Sequence, residues 1–315
     1  MIEIDNSFTS YVEEKESSVR GKIIADLFYH ITNNMKIGKK IKSGELRKKI
    51  GHVEPEWKVP EAYNMTHINL KKFSMKFLLP KKNPNMKKVI LQLHGGGYVS
   101  TIRNAYYSCA VWYSQAAHGC GVLTPDYRVA PEYPYPAALE DAVTCYKWLL
   151  EKGYSAEQII IGGDSAGGGL AMALTMYLRN HQMPLPCAII AMSPWTDLTG
   201  SGASYKDNVE IDPVFGSRPE VVIGSSYVGG DRADNPYISP MFGDFTDFPK
   251  LLIQVGTEEM LLSDSQTVRD KAVAAGVDVR YSEYKGMFHV FQMAGKLIPE
   301  SKRAWEEIKS FIDEL

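Results

Sequence analysis

The residues with the plainest chemical potential form one short group, Gly163-Asp164-Ser165-Ala166-Gly167. A serine hydroxyl attacks a carbonyl only when a base takes its proton and the backbone holds it clear of its surroundings. The flanking residues predict such a turn. Ile159-Ile160-Ile161 is a β-branched run, and Leu170-Ala171-Met172-Ala173-Leu174 is strongly helix-forming. Strand, sharp turn and helix is the setting in which Gly-x-Ser-x-Gly works as a nucleophile elbow. Glycines on either side leave room for strand and helix to approach. The positive end of the helix then lies beside the hydroxyl.

Acyl transfer also needs donors for the oxygen that becomes an oxyanion. Roughly seventy residues upstream, the apolar run Val89 to Leu93 predicts a buried strand, and His94-Gly95-Gly96-Gly97-Tyr98 follows it directly. Three consecutive glycines put bare N–H groups where a substrate can come close. A phosphate cradle is the competing reading, but neither Gly-x-Gly-x-x-Gly nor Gly-x4-Gly-Lys-Ser/Thr occurs in the chain.

These two motifs together resemble the hormone-sensitive-lipase-like branch of the α/β-hydrolases, the bacterial acetyl-esterase and carboxylesterase group. Three further blocks are similar to that family: Asp126 to Glu132, Ser193-Pro194-Trp195-Thr196-Asp197, and Ser239-Pro240-Met241-Phe242. The resemblance runs from about Phe73 to the C-terminus. It implies an α/β-hydrolase fold: a mostly parallel central sheet, helices on both faces and a helical cap. It also implies a serine hydrolase without cofactor or metal.

The base must be a histidine. Of seven, His30, His52, His67, His94, His118, His181 and His289, only His289 lies beyond the elbow and just past a predicted strand, Val277 to Tyr284. His181 ends the elbow helix. For His94 the resemblance implies a structural role in the glycine loop. The acid that orients the imidazole falls between Ser165 and His289, since chain order in this fold is Ser, acid, His. Leu251 to Gly256 predicts a strand, and Thr257-Glu258-Glu259-Met260-Leu261 is the loop at its end. Family members usually carry Asp in an Asp-x-Leu step there. Glu259 occupies that place in this chain, a departure that related triads tolerate, and Glu258 is its near rival. Ser263 and Asp264 read as caps of the following helix.

Size and composition fit one large α/β domain or two smaller ones, with 315 residues and 44% hydrophobic content. A net charge of −2 and a pI near 6.4 give no electrostatic case for nucleic acid. The densest basic run, Lys36 to Lys49, holds seven Lys/Arg in 14 residues and reads as a solvated helical face. Cys109, Cys120, Cys145 and Cys187 lack Cys-x-x-Cys spacing, and three sit in apolar surroundings, as buried free thiols would. No apolar stretch approaches 18 residues, and the chain opens on the polar Met1 to Asp5, which predicts neither signal peptide nor membrane span. A cytoplasmic setting is the expectation.

Around these motifs strands alternate with helices. Met65 to Leu79 and Lys87 to Leu93 carry strand signals, as do Gly121 to Pro125 and Ala188 to Met192. Helices are expected at Asn104 to His118, Ala137 to Lys152, Ser263 to Ala275 and Pro299 to Leu315, three of them stopping at a glycine. Residues 1 to about 60 read as helices, with Val19, Ile23, Leu27 and Ile31 one turn apart. Residues 199–228, with Asp212-Pro213 and Pro219, break the alternation. The resemblance implies that 1–60 and 199–228 form a cap on a catalytic domain of 61–315. Tyr98, Trp195, Phe215, Met287 and Phe288 are the candidate pocket walls.

The expected chemistry is carboxylic-ester hydrolysis: Ser165 attacks, His289 moves the proton, Glu259 orients His289, and the N–H groups of Gly96, Gly97 and Ala166 hold the oxyanion. No His-Glu-x-x-His or Cys/His cluster supports a metal mechanism. The partner is a small-molecule ester, with neither nucleic acid nor membrane, and the oligomeric state, a homo-oligomer included, stays open. Acyl chains of about two to six carbons are expected to react best, by resemblance to the bacterial members. Two rivals remain. One is an amide or lactone hydrolase with the same triad; the other is a small-molecule binding protein on this fold, as in a plant hormone receptor that lacks the histidine.

Overall fold

Short apolar runs become the strands of a single sheet in the computed structural model, which describes residues 8–13, 16–32, 54–216, 222 and 225–315. The strands are β1 (Phe8–Val12), β2 (Tyr63–Asn69), β3 (Ser74–Pro80), β4 (Asn85–Leu93), β5 (Cys120–Asp126), β6 (Ile159–Asp164), β7 (Ala188–Met192), β8 (Lys250–Gly256) and β9 (Val279–Tyr284). Among the described residues they form nine strands in the order β1-β9-β8-β7-β6-β4-β5-β3-β2. β2 pairs antiparallel with β3, and β3 antiparallel with β5. All other pairs are parallel.

A parallel sheet must be covered on both faces. Ile159 and Ile161 of β6 point into a core built with α3 (Ala137–Glu151) and α4 (Ala166–Asn180), and α6 (Leu262–Ala274) closes the same side. Ile160 points the other way, to a second core with α2 (Asn104–Ala116) and α7 (Pro299–Asp313). Alternation along one strand thus feeds two layers. The strands run so that the carboxyl ends of β4, β6, β8 and β9 lie at the same edge, where open α/β sheets bind their ligands.

The N-terminal segment corrects the expectation of an all-helical start. Residues 8–12 are β1, a parallel strand beside β9 that pairs Phe8 with Val279 and Val12 with Glu283. Phe-Thr-Ser-Tyr-Val is rich in strand-forming side chains, and β9 offers it an otherwise open edge. α1 (Val19–Thr32) is the expected helix, but its stripe does not face the core. Val19, Ile23 and Leu27 are 75%, 59% and 52% exposed, while Gly21 and Ala25 face inward. Small residues let the helix lie close: a Cβ on Gly21 would come within 2.8 Å of Met287 Cε.

Met65 to Leu79 is likewise two strands, β2 and β3, joined by a turn in which Leu70 N donates to Phe73 O (2.9 Å). Asp264 does not cap α6. It is fully buried, and its Oδ2 accepts the N–H groups of Thr196 (2.7 Å) and Asp197 (2.8 Å), which have no access to water. Ser263 does not cap α6 either; its N–H donates to Ser204 Oγ at 2.9 Å.

The described residues of 199–228 carry a short helix, α5 (Ser204–Asp207), turns, and one 3-10 turn at Ser226–Val228. Cys109, Cys120 and Cys145 are buried free thiols, and Cys187 is partly exposed. No helix among the described residues is long and apolar enough to cross a membrane. The basic run Lys36 to Lys49, the opening Met1 to Asp5, His52, Pro219 and the side chains of His30 and Ile31 lie outside the described residues.

Candidate active site

Ser165 stands between β6 and α4 with φ +51° and ψ −123°, a conformation side chains other than glycine rarely adopt. Holding it there costs on the order of 1–3 kcal/mol, supplied by the surrounding structure. Its N–H donates to Met192 O (2.9 Å), and its carbonyl accepts from Trp195 N (2.8 Å). The flanking glycines are required by contact. A Cβ at Gly163 would meet Gly167 O at 2.3 Å, and one at Gly167 would meet Leu93 O at 2.0 Å.

β9 ends at Tyr284, and the turn Lys285-Gly286-Met287-Phe288 carries His289 over the elbow. His289 Nε2 lies 2.9 Å from Ser165 Oγ, and its Nδ1 lies 2.8 Å from Glu259 Oε2. The network assigns the ring proton to Nδ1, which donates to Glu259, and leaves Nε2 to accept the serine proton. Glu259 is wholly buried. Its Oε1 accepts from Gly256 N (2.6 Å) and from Ser193 Oγ (2.7 Å). Glu258, its neighbour, is half-buried; burial raises its carboxyl pKa, and it makes no hydrogen bond to His289.

The glycine loop lies opposite. Gly96 and Gly97 have φ +108° and +63° and line the cavity with Ser165. Among the described residues the N–H groups of Gly96, Gly97 and Ala166 have no protein acceptor. Ala166 is buried and Gly96 and Gly97 are part-exposed at the cavity, so three N–H groups free of protein acceptors lie near one hydroxyl, where they can donate to an incoming oxygen. His94 underpins the loop: buried, it donates from Nδ1 to Gly95 O (2.8 Å) and stacks on Tyr127 with centroids 4.0 Å apart. Burial lowers its pKa, so it stays neutral.

Several supporting residues were given no role by the sequence. Ser193 holds Glu259 and also accepts Val290 N at 3.1 Å, tying acid and histidine loop together. Asp212 accepts Val214 N (2.7 Å) and Phe215 N (2.8 Å) on one oxygen and Met260 N (2.7 Å) on the other. Asn208 Nδ2 donates to Glu259 O at 2.7 Å. Asp164 accepts Gly95 N (3.1 Å) and the Tyr106 hydroxyl (3.0 Å), which moors the glycine loop to the elbow. Burial pushes the Asp164 carboxyl up to about 6 against the opposing pull of Tyr106, His289 and the Gly95 N–H. Ser193 opens one of the family-like blocks and Asp164 lies inside the elbow motif, signals that could have found both; nothing local flags Asp212 or Asn208.

A cavity of about 730 Å³ opens over Ser165. Trp195, Phe215 and Phe288 line it as expected, and Phe215 packs on the His289 ring at 4.6 Å between centroids. Tyr98 and Met287 do not. Tyr98 lies beneath the loop, stacked on Tyr227 at 3.8 Å, and Met287 fills the gap under Gly21. Both point into the core because the turns that carry them, with Tyr98 at φ +60°, aim the backbone rather than the side chain at the cavity. Among the described residues no group of three or more His, Cys, Asp or Glu is arranged to hold a metal.

This geometry has known counterparts. A family model described as the alpha/beta hydrolase fold matches residues 90–293. An acetyl-hydrolase of Streptomyces hygroscopicus is 38% identical over 71% of this chain and 75% of its own. An esterase of Acinetobacter venetianus is 34% identical over 75% of this chain and 78% of its own. Among solved structures, an esterase from the bacterial hormone-sensitive lipase family superposes with a TM-score of 0.83 at 32% identity, covering 95% of this chain and 99% of that one.

Proposed function

This chain belongs to the hormone-sensitive-lipase-like branch of the α/β-hydrolases and is a carboxylesterase, and from that premise we propose that it cleaves acyl esters through a Ser165-His289-Glu259 triad and an acyl-enzyme intermediate. The observation that carries this reading is the unbroken line Ser165 Oγ, His289 Nε2, His289 Nδ1, Glu259 Oε2, with both contacts below 3 Å. It also separates the protein from a binding module on the same fold, which needs no such line.

Ser165 Oγ attacks the ester carbonyl while His289 Nε2 takes its proton. The oxyanion forms against the N–H groups of Gly96, Gly97 and Ala166. Glu259 stabilises the imidazolium and keeps the ring in register. Collapse expels the alcohol, which receives the proton from His289. Water then enters, gives its proton to His289 and attacks the acyl carbonyl, and Ser165 leaves with that proton. The segments 16–32 and 199–228 serve as the cap: Ile24 and Leu27 come from the first, Val214, Phe215 and Val222 from the second, and all five line the cavity. A cap excludes water and shapes the substrate pocket. Acyl groups of about two to six carbons fit within a space of this size. We place the reaction in the cytoplasm, as free, mostly buried thiols favour.

Matched substrates test the bond that is cleaved. The p-nitrophenyl ester of butyric acid should be hydrolysed with kcat/KM at least about 10³-fold above that of the corresponding p-nitroanilide, because a phenolate leaves the tetrahedral intermediate far more readily than an anilide nitrogen. Equal rates, or a faster anilide, would make the protein an amidase.

A further inference from the structure

A single strong cation interrupts the mostly apolar lining of the cavity. Among the described residues that line it, Arg103 is the only Lys or Arg. Its place in the fold does not call for a cation. Arg103 is the N-cap of α2, where helices favour Ser, Thr, Asp or Asn, and its side chain makes no capping bond. That helix end is itself positive, and the first turn of α2 carries no acidic residue to offset the guanidinium. A residue that breaks a local preference without helping its helix is expected at a functional site. Glu54 is the counter-ion. Its Oε2 lies 3.0 Å from Arg103 Nε, and its Oε1 accepts Asn104 N at 3.2 Å, so one carboxylate serves both the guanidinium and the helix end. A guanidinium has five N–H donors in a planar fork. Among the described residues no hydrogen bond or ion pair engages Nη1 or Nη2 of Arg103. Ser100, three positions earlier, lines the same cavity, and its hydroxyl has no protein partner among the described residues. The carboxylate in the lining, Asp164, is buried and bound to Gly95 N and the Tyr106 hydroxyl, so it does not take up these donors.

Resting on the ester-hydrolase reading, we propose that Arg103 is a specificity-determining residue whose guanidinium binds a carboxylate on the substrate, so that this cavity takes esters bearing a free acid. Arginine meets a carboxylate with two parallel N–H···O bonds, and charge-assisted bonds of this kind are roughly twice as strong as neutral ones. A carboxylate entering this lining without Arg103 would give up its water for apolar surface, which strongly disfavours it. Glu54 on Nε fixes the plane of the fork and leaves Nη1 and Nη2 for the ligand. The carboxylate can be carried by the acyl part or by the alcohol part, since both are joined at the carbonyl that Ser165 attacks. The guanidinium reads the charge in either case, and the two arms of the test separate them.

Each arm pairs a charged ester with an uncharged isostere in which an isopropyl group replaces the carboxylate. The acyl arm uses the p-nitrophenyl monoester of adipic acid; the alcohol arm uses the butyryl ester of 4-hydroxybutanoate, followed by release of butyrate. In at least one arm the wild type should use the charged ester with kcat/KM no lower than that of its isostere. Arg103→Gln should lower that ratio about tenfold, and Arg103→Lys, which keeps the charge but not the fork, by less. Raising the salt concentration should lower the ratio in the wild type and leave it in Arg103→Gln. Because the readout is a ratio within one variant, partial loss of folded protein does not change it. A charged ester slower than its isostere in both arms, or a ratio that Arg103→Gln lowers less than about threefold, would overturn the assignment. Absence of turnover of charged and uncharged esters alike would instead remove the esterase reading beneath it.

Discussion

Ser165→Ala and His289→Ala are each expected to lower kcat roughly 10⁵-fold while leaving thermal unfolding within a few degrees of wild type. The two groups act as one device. Without the hydroxyl no acyl bond can form, and without the imidazole the hydroxyl keeps its proton at neutral pH. The double variant should therefore be hardly slower than either single one, because the second substitution removes a group already idle. What survives is water attack assisted by the orphan N–H groups of Gly96, Gly97 and Ala166, which neither substitution touches. Steady-state kinetics on a butyryl ester, with the variants purified away from wild type, gives the answer. Retention of more than about a tenth of the activity by Ser165→Ala would mean that another group is the nucleophile.

Glu259→Gln should cost about 10³- to 10⁴-fold in kcat, and Glu258→Gln no more than a few-fold. The asymmetry comes from donors already in place. Gly256 N–H and the Ser193 hydroxyl both donate to Glu259 Oε1. In a glutamine they would hold the amide oxygen on their side and turn its NH₂ toward His289 Nδ1. The ring would then have to carry its proton on Nε2, facing Ser165, which is the wrong tautomer for a base. Lost stabilisation of the imidazolium adds to the effect. Glu258 has no such place in the network; its loss removes a half-buried charge whose pKa burial already raises. The same assay, run on both variants, ranks them. A reversed ranking would transfer the orienting role to Glu258.

The chemistry of the chain was legible wherever it depends on local backbone. Ser165 needs a turn that only glycines permit, so Gly163 and Gly167 announce it. His289 and Glu259 each follow a strand, and the order of the fold ranks them among their rivals. The step to Leu261 ranked Glu259 over Glu258, and it is Glu259 whose Oε2 lies 2.8 Å from His289 Nδ1. Residues that act across the sheet were not legible. Ser193 meets Glu259 because β7 lies beside β8, a neighbour relation that no run of sequence states. Asp212 and Asn208 reach the acid loop from a segment some 50 residues away.

Side-chain direction was the other loss. Tyr98 and Met287 lie close in sequence to the proposed oxyanion glycines and to His289, yet turn inward to pack. α1 shows the reverse: the apolar spacing from Val19 to Leu27 marked a helix without marking its inner face, where the small residues Gly21 and Ala25 make the contact. Strand β1 was missed because five residues at a sheet edge carry too little periodicity to outweigh the helical pattern after them.

In the proposed reaction Ser165 forms a covalent bond with the substrate's electrophilic centre. An organophosphonate that mimics the tetrahedral intermediate tests it most directly, with intact-protein mass spectrometry followed by peptide mapping. One phosphonyl group per chain is expected, on Ser165, with loss of activity in step with labelling. Labelling should be far slower in His289→Ala, which cannot take the proton from Ser165. An unmodified, inactive protein, or a label on another residue that tracks the loss of activity, would contradict it.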